Sequence, residues 1–439
     1  MFQTIIKAFK LPDVRKKILI TIALLFVYRL GCYIPVPGVT IFQTAAGAAA
    51  NEELGGFSFL QIMSAVSGGA LASGAFFAMG IGPYINASII IQLLTVAIPA
   101  LERLSRQGEE GKRKISNYTR ILTLFLAIAQ AIGILVAFQE SIEFSLLFGA
   151  EGFGRFMSFA FLVVVYTAGA ALTMWIGERI TDYGISNGIS LLIFAGILST
   201  AGISILNLIK DLFVANAAVS MKAAWQLIGF VLAAIIIFAA IVAVNSAERK
   251  IPVQYAKQIK GRKMYGGQST HIPIKINASG VMPLIFSFAI LSFPDLIMNL
   301  LGITDNWWLR NMGSGSWVYT VVLCVLILFF SYFYNQIQFN PDDISKSIQG
   351  NGGFIPGYRP GKPTADYLKK VSNRITLFGA IFLAVVALVP SLVFKGIGGD
   401  SLMNVFSATG LLIIVSVALE FEQALQSQIM MKQYKGILK

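Results

Sequence analysis

Met79-Gly-Ile-Gly-Pro-Tyr-Ile-Asn-Ala-Ser-Ile-Ile-Ile-Gln-Leu-Leu-Thr95 sits inside a stretch, 75–98, that carries no charged residue. Such a run is too long for a strand, and it matches the roughly 20 apolar residues that a helix needs to cross a hydrocarbon core about 30 Å thick. Reading outward on the same rule gives ten runs, near 18–36, 75–98, 117–138, 156–177, 187–208, 225–245, 279–301, 317–338, 375–394 and 403–423. The pattern predicts an all-α membrane protein with ten transmembrane helices.

Composition agrees. The chain is 56% hydrophobic and 13% charged, with a mean hydropathy of +0.74. A water-soluble protein carries about a quarter of its residues charged, so lipid must solvate much of this surface. Cys32 and Cys324 both lie in apolar runs, which argues against a disulfide. With His271 the only histidine, there are too few ligands for a metal site. Lys7, Lys10, Arg15, Lys16 and Lys17 precede the first run, and no small-residue cleavage site follows, so the segment reads as a retained helix.

Basic residues set the expected orientation. Of the 34 Lys and Arg, 28 fall in the N-terminus, the 99–120 segment, Arg179, the 247–278 and 339–374 loops and the C-terminal tail. The remainder are Arg29, Arg155, Lys210, Lys222, Arg310 and Lys395. This alternation suits an even number of spans with both termini cytoplasmic. The two long basic loops hold more charge than topology requires. They suit a phosphate-rich or acidic docking partner, alongside contact with anionic lipid.

Several features break the pattern. Gly55 to Gly69 is apolar but too short to span, and glycines bound it. It reads either as a helix on the outer surface or as a half-helix entering a protein-lined cavity. Asn86, Gln130 and Asn277 lie in or at the start of apolar runs and need partners across helices. Arg29, well inside the first run, has no local carboxylate, so it must snorkel or bind helix-end carbonyls. Ile81 and Ile85, like Ile189 and Ile193, are one turn apart; the spacing alone indicates only packing or lipid contact. Gly184-Ile-Ser-Asn-Gly188 suits close helix contact through small residues.

Catalytic chemistry finds no foothold. Gly357-Tyr-Arg-Pro-Gly-Lys-Pro363 lacks the spacing and the Ser or Thr of a phosphate loop. There is no HExxH and no GxSxG, and neither a catalytic residue nor a cofactor is expected. Only Asp295, Glu420 and Glu422 are acidic within the runs, all toward the ends. A secondary solute transporter, the main alternative, usually needs coupling carboxylates at mid-membrane.

The quoted stretch closely resembles the second transmembrane helix of the SecY family. Similar to that family too are Gly111-Lys-Arg-Lys-Ile-Ser-Asn-Tyr-Thr-Arg120, Gly184-Ile-Ser-Asn-Gly-Ile-Ser190, Gln268-Ser-Thr-His-Ile-Pro-Ile-Lys-Ile-Asn277 and Phe354-Ile-Pro-Gly-Tyr-Arg-Pro-Gly361. These matches are long, in the family's order, and spread from the first helix to the last. The 139–155 and 302–316 segments match least.

The resemblance implies a protein-conducting channel that passes unfolded secretory polypeptides and releases apolar segments sideways into the membrane. It implies two inverted five-helix halves, 1–210 and 211–439, the second carrying the basic loops and the tail. A re-entrant plug helix near 59–73 would include Phe59, Leu60, Ile62, Met63, Val66, Gly68 and Gly69. The implied pore ring is Ile81, Ile85, Ile189, Ile193, Ile285 and Ile413, and the implied lateral gate uses Asn86, Gln130 and Asn277. Arg262, Lys263 and Arg359 would dock the SecA motor ATPase or the ribosome. SecE-like and SecG-like subunits would brace the halves in the bacterial inner membrane.

Overall fold

The computed structural model describes residues 2–39, 67–71, 73–105, 107–137, 142, 144, 147–149, 151–214, 229, 232, 235–255, 258–260, 263–265, 269–277, 280, 282–300, 307–312, 316–397 and 408–437. In chain order the helices are α1 (Phe2–Lys10), α2 (Pro12–Gly31), α3 (Gly82–Ala97), α4 (Pro99–Ser105), α5 (Glu109–Ala137), α6 (Gly152–Tyr183) and α7 (Gly188–Val214). After them come α8 (Ile235–Ser246), α9 (Met282–Leu300), α10 (Trp307–Asn311), α11 (Trp317–Gln338), α12 (Pro341–Gly350), α13 (Lys362–Ile397) and α14 (Ala408–Ile437).

Each of the ten apolar runs holds helix over at least part of its length, but edges move for local reasons. The second run is helical only from Gly82, where Pro83 occupies the first turn, a position whose missing N–H costs nothing. That helix ends at Ile98, which is extended (φ −107°, ψ 112°) because the residue before a proline avoids the α region. The chain then bends by 105° into α4. Ser316 caps α11 by accepting from the Val318 N–H at 3.3 Å, and the helix covers 317–338 as expected.

Among the described residues, four helical stretches are long and apolar enough to cross a membrane: Glu109–Val136, Gly152–Tyr183, Trp317–Gly350 and Lys362–Leu388. The bent pair α3 and α4 makes a fifth if counted as one span, and three shorter apolar helices accompany them. Large apolar side chains stand on the outside, including Phe125 (67% exposed), Val164 (66%) and Phe329 (57%). An apolar exterior of this kind belongs in lipid.

Neighbours in sequence pack as neighbours in space: α3 on α5, α5 on α6, α6 on α7, then α9 on α11, α11 on α13 and α13 on α14. The two series meet where α9 lies against α5 and α3, and where α14 lies against α7. The expected small-residue contact is present. A Cβ on Gly188 would strike the Gly177 carbonyl oxygen, so α6 and the start of α7 touch backbone to backbone.

The all-α expectation needs one correction. The basic 247–278 loop folds as strands: β1 (Glu248–Tyr255), β2 (Gln258–Lys260), β3 (Lys263–Tyr265) and β4 (Ser269–Lys275), with β5 (Gly353–Phe354) from the other basic loop. The sheet order is β4-β1-β5, with Glu248 opposite Lys275 and Gln254 opposite both Ser269 and Phe354. Alternation along β1 buries Ile251 and Val253 and leaves Lys250, Pro252 and Gln254 exposed, the period-two pattern of a half-buried strand. Ile251 and Val253 pack with Ile274, Ile348, Ile355 and Leu368. The two basic loops therefore share one small core.

Candidate functional site

The chemistry gathers where α3, α7, α9 and α14 converge. Ile81 caps the start of α3 and Ile85 follows one turn later, its N–H bonding the Ile81 carbonyl at 3.1 Å. Asn187 starts α7: its Oδ1 accepts the Ile189 N–H at 3.0 Å and its carbonyl accepts the Leu191 N–H at 3.1 Å. An Asn in this place satisfies amides that the first helical turn leaves unpaired, and it sets Ile189 and Ile193 on one face. Ile285 comes from α9 and Ile413 from α14.

All six isoleucines fall in one apolar cluster. Ile81, Ile193 and Ile413 are buried, while Ile85, Ile189 and Ile285 are partly buried against them. Gly177 on α6 backs the cluster: a Cβ there would come within 3.2 Å of Leu192, 3.5 Å of Ile81 and 3.6 Å of Ile189. Sequence reading missed this glycine, because only the packed α6–α7 pair shows what it faces. A throat lined by such side chains offers water no hydrogen bonds, so it excludes ions by dewetting.

The amides are placed less simply. Gln130 is buried on α5, and among the described residues its Oε1 has no hydrogen-bond partner. Asn277 Oδ1 is likewise buried and without a partner among the described residues, while Asn277 Nδ2 donates to Asn245 Oδ1 at 2.8 Å. Asn86 is half-buried on α3. Neither orphan oxygen accepts a bond from another member of the expected trio. What joins α3 to α9 is apolar: Ile89, Phe286 and Phe330 are buried together, with Ile85, Leu93, Met282 and Ile285 against them.

Arg29 takes the carbonyl option. Its Nη1 donates to the Gly68 carbonyl at 2.8 Å and its Nη2 to the Tyr33 hydroxyl at 3.0 Å, with the guanidinium 4.8 Å from the Tyr33 ring centroid. Gly68 has a φ of +69° and Gly69 of +83°, a region in which a side chain is strained. A Cβ on Gly68 would also strike Arg29 Nη1. Phe59, Leu60, Ile62, Met63 and Val66 lie outside the described residues.

Of the docking residues, Arg262 also lies outside the described residues. Lys263 opens β3 opposite Lys260 in the β2–β3 hairpin. Arg359 is exposed on a turn between Gly357 (φ +87°) and Gly361 (φ +100°), and its carbonyl accepts the Thr364 hydroxyl at 2.7 Å. Stacking of Tyr358 on Tyr367, with ring centroids 4.1 Å apart, firms the same turn. The backbone is fixed and the guanidinium faces water.

Residues 75–422 match the SecY family model. The chain belongs to the SecY family. Among curated SecY relatives, the protein translocase subunit SecY of Corynebacterium glutamicum is 41% identical over 99% of both chains. That of Streptomyces coelicolor is 40% identical over the whole of both. A solved protein-conducting channel superposes with a TM-score of 0.67 at 20% identity, covering 94% of this chain and 92% of that one. Sec61 from the canine ribosome-channel complex gives 0.63 at 18% identity with the same coverage. These two likenesses show the shared fold. As a SecY protein, the chain is a membrane-embedded subunit of a protein-translocation channel, and nothing favours the solute-transporter alternative.

Proposed function

We propose that the six isoleucines form the seal of the translocation pore, and that their convergence from four helices is the observation that carries this reading. A SecY channel must pass a polypeptide when open yet hold back ions when closed. Branched apolar side chains meet both demands: they have no hydrogen-bond register to grip a passing chain, and they close again by packing. The ring sits in a channel of ten transmembrane helices arranged as two inverted halves, 1–210 and 211–439, with both termini cytoplasmic. Inverted repeats are common in membrane transport folds. The plug occupies 59–73 on the outer side, and Arg29 holds it through the Gly68 carbonyl.

Lateral release occurs between α3 and α9, whose contact is the apolar Ile89–Phe286 cluster. The Gln130 and Asn277 acceptors that have no partner among the described residues favour opening, because an unpaired buried acceptor carries a desolvation cost that water or a signal segment relieves. The β2–β3 hairpin carrying Lys263, with Arg262 between its strands in sequence, and the turn carrying Arg359 dock SecA or the ribosome. Either would supply the drive that this chain has no nucleotide motif to provide. SecE-like and SecG-like partners cover part of the apolar exterior, in the bacterial inner membrane.

The test is single-channel recording of the reconstituted complex with no translocating chain. Replacing four or more ring isoleucines by Ser is expected to turn a silent bilayer into a conducting one. Silence from a folded variant still bound to its small membrane partner places the seal elsewhere. Crosslinking a stalled secretory chain to Ile193→Cys tests the path independently.

A further inference from the structure

Asn245, at the end of α8, is not among the ring, gate or docking residues, yet it lies between two of those groups. It accepts from Asn277 Nδ2 at 2.8 Å and donates through its own Nδ2 to Ser416 Oγ at 2.9 Å. Asn277 stands just ahead of α9, and among the described residues its other polar atom is buried without a partner, so the bond that holds its side chain there runs through Nδ2. Ser416 is on α14, one turn from Ile413, and residues three apart share a helix face.

Two further contacts tie the same segment down. The Ile276 N–H donates to the Ala247 carbonyl at 3.0 Å, and Lys275 Nζ donates to Gln423 Oε1 at 2.6 Å. Gln423 lies seven residues beyond Ser416, two turns along α14. The chain that leads into α9 is thus joined to α14 by an amide relay at one level and a lysine contact at another. Gly379 on α13 leaves no room for slack, since a Cβ there would sit 2.7 Å from the Ile276 carbonyl oxygen.

We infer that Asn245 is a positioning residue that couples movement of α9 at the lateral gate to the Ile413 side of the pore ring. Outward movement of α9 carries Asn277 with it. While the relay is intact, that displacement must either draw the Ser416–Ile413 turn along or break a hydrogen bond in a half-buried setting. The relay therefore favours the closed arrangement and links the two openings. This inference rests on the pore and gate reading given above.

The experiment uses cells in which this chain is the sole SecY protein. They export two versions of one secretory substrate, with its signal segment intact or interrupted by a charge, and the ratio of the two export rates is read. Asn245→Ala removes both bonds and is expected to raise the defective-to-intact ratio about five- to tenfold, the size of one or two net hydrogen bonds. Asn245→Asp still accepts from both Asn277 and the Ser416 hydroxyl, and is expected to return the ratio to within about twofold of the unmodified chain. Asn245→Ala combined with Ser416→Ala should do no more than Asn245→Ala alone. As a control, Asn335→Ala breaks a comparable buried pair with Ser372 (3.0 Å) and should leave the ratio unchanged. An unchanged ratio in Asn245→Ala, failure of Asp to restore it, or multiplied effects in the double variant would overturn the relay while leaving the channel intact. If the unmodified chain exports neither substrate, the channel reading itself falls, and the relay with it.

Discussion

The isoleucine junction and the three-stranded sheet are both built around buried aliphatic side chains, but they solve opposite problems. In the junction, side chains from four helices share one apolar cluster, and isoleucines can make no side-chain hydrogen bond to one another. In the sheet, Ile251 and Val253 are locked by a seven-pair antiparallel register that runs from Glu248–Lys275 to Gln254–Ser269. Packing alone is non-directional, so the junction can part and close again on a new set of contacts. A strand ladder cannot slip by one residue without turning every side chain to the other face. A channel needs the first property at its throat and the second where a partner must read fixed charges.

The comparison can be broken most severely at the throat. Four Ile→Ser changes among Ile81, Ile85, Ile189, Ile193, Ile285 and Ile413 should produce open-channel current where the unmodified protein gives none, measured at fixed voltage in planar bilayers. The same number of Ile→Leu changes keeps the throat apolar and should stay silent. Conduction in the Leu set would mean that shape, rather than dewetting, makes the seal.

A second test exchanges the roles of the two regions. Ile251→Ala in the sheet should cost about 2–5 kcal/mol of local stability, the range for truncating a buried Ile to Ala, and Val253→Ala, which removes less, should cost less. The effect should appear as faster amide exchange in 248–275 without ion leak. Leak from either variant would show that the sheet and the throat are one mechanical unit.

Gly177 sharpens the picture of the throat. Gly177→Val places atoms against Leu192, Ile81 and Ile189, and overpacking of this kind typically costs about 1–3 kcal/mol. Lower thermal stability together with intermittent current is expected in the same recordings, while Gly202→Val, at a position with open space around it, should change neither.

The smallest expected effect is at the docking face. Arg359→Glu should leave thermal stability within about 0.5 kcal/mol, as for exposed substitutions generally. It should weaken binding of the motor or the ribosome, and raising salt should shrink the difference as screening grows. Equal binding at low salt would remove Arg359 from the interface. Labelling of an Arg359→Cys variant from the outer side of intact cells would overturn the proposed orientation.

The helices were legible because lipid imposes one rule on every segment it touches. Backbone polar groups must be satisfied within the segment, so apolar length reports helix directly. The 317–338 run and its helix coincide for that reason. The second run was misjudged at its start because a turn over 73–81 is as apolar as the helix it precedes, and apolarity says nothing about dihedrals. The strands of the 247–278 loop were passed over as well. Thr-His-Ile-Pro-Ile-Lys alternates weakly, and its pairing partner lies some twenty residues upstream.

What the amino-acid order determined unaided was the class of solvent, the near positions of the spans and, through five long motifs, the family. Each of these depends on composition or local order, which a linear chain carries in full. The tertiary structure alone decided that isoleucines 81, 85, 189, 193, 285 and 413 share one apolar cluster, that Asn277 turns to Asn245 rather than to Gln130, and that Arg29 binds the Gly68 carbonyl. An isoleucine one turn from another looks the same whether it faces lipid, a neighbour or a pore. Only the crossing of helices far apart in sequence distinguishes these cases, because contact energy depends on distance in space and a sequence records distance along the chain.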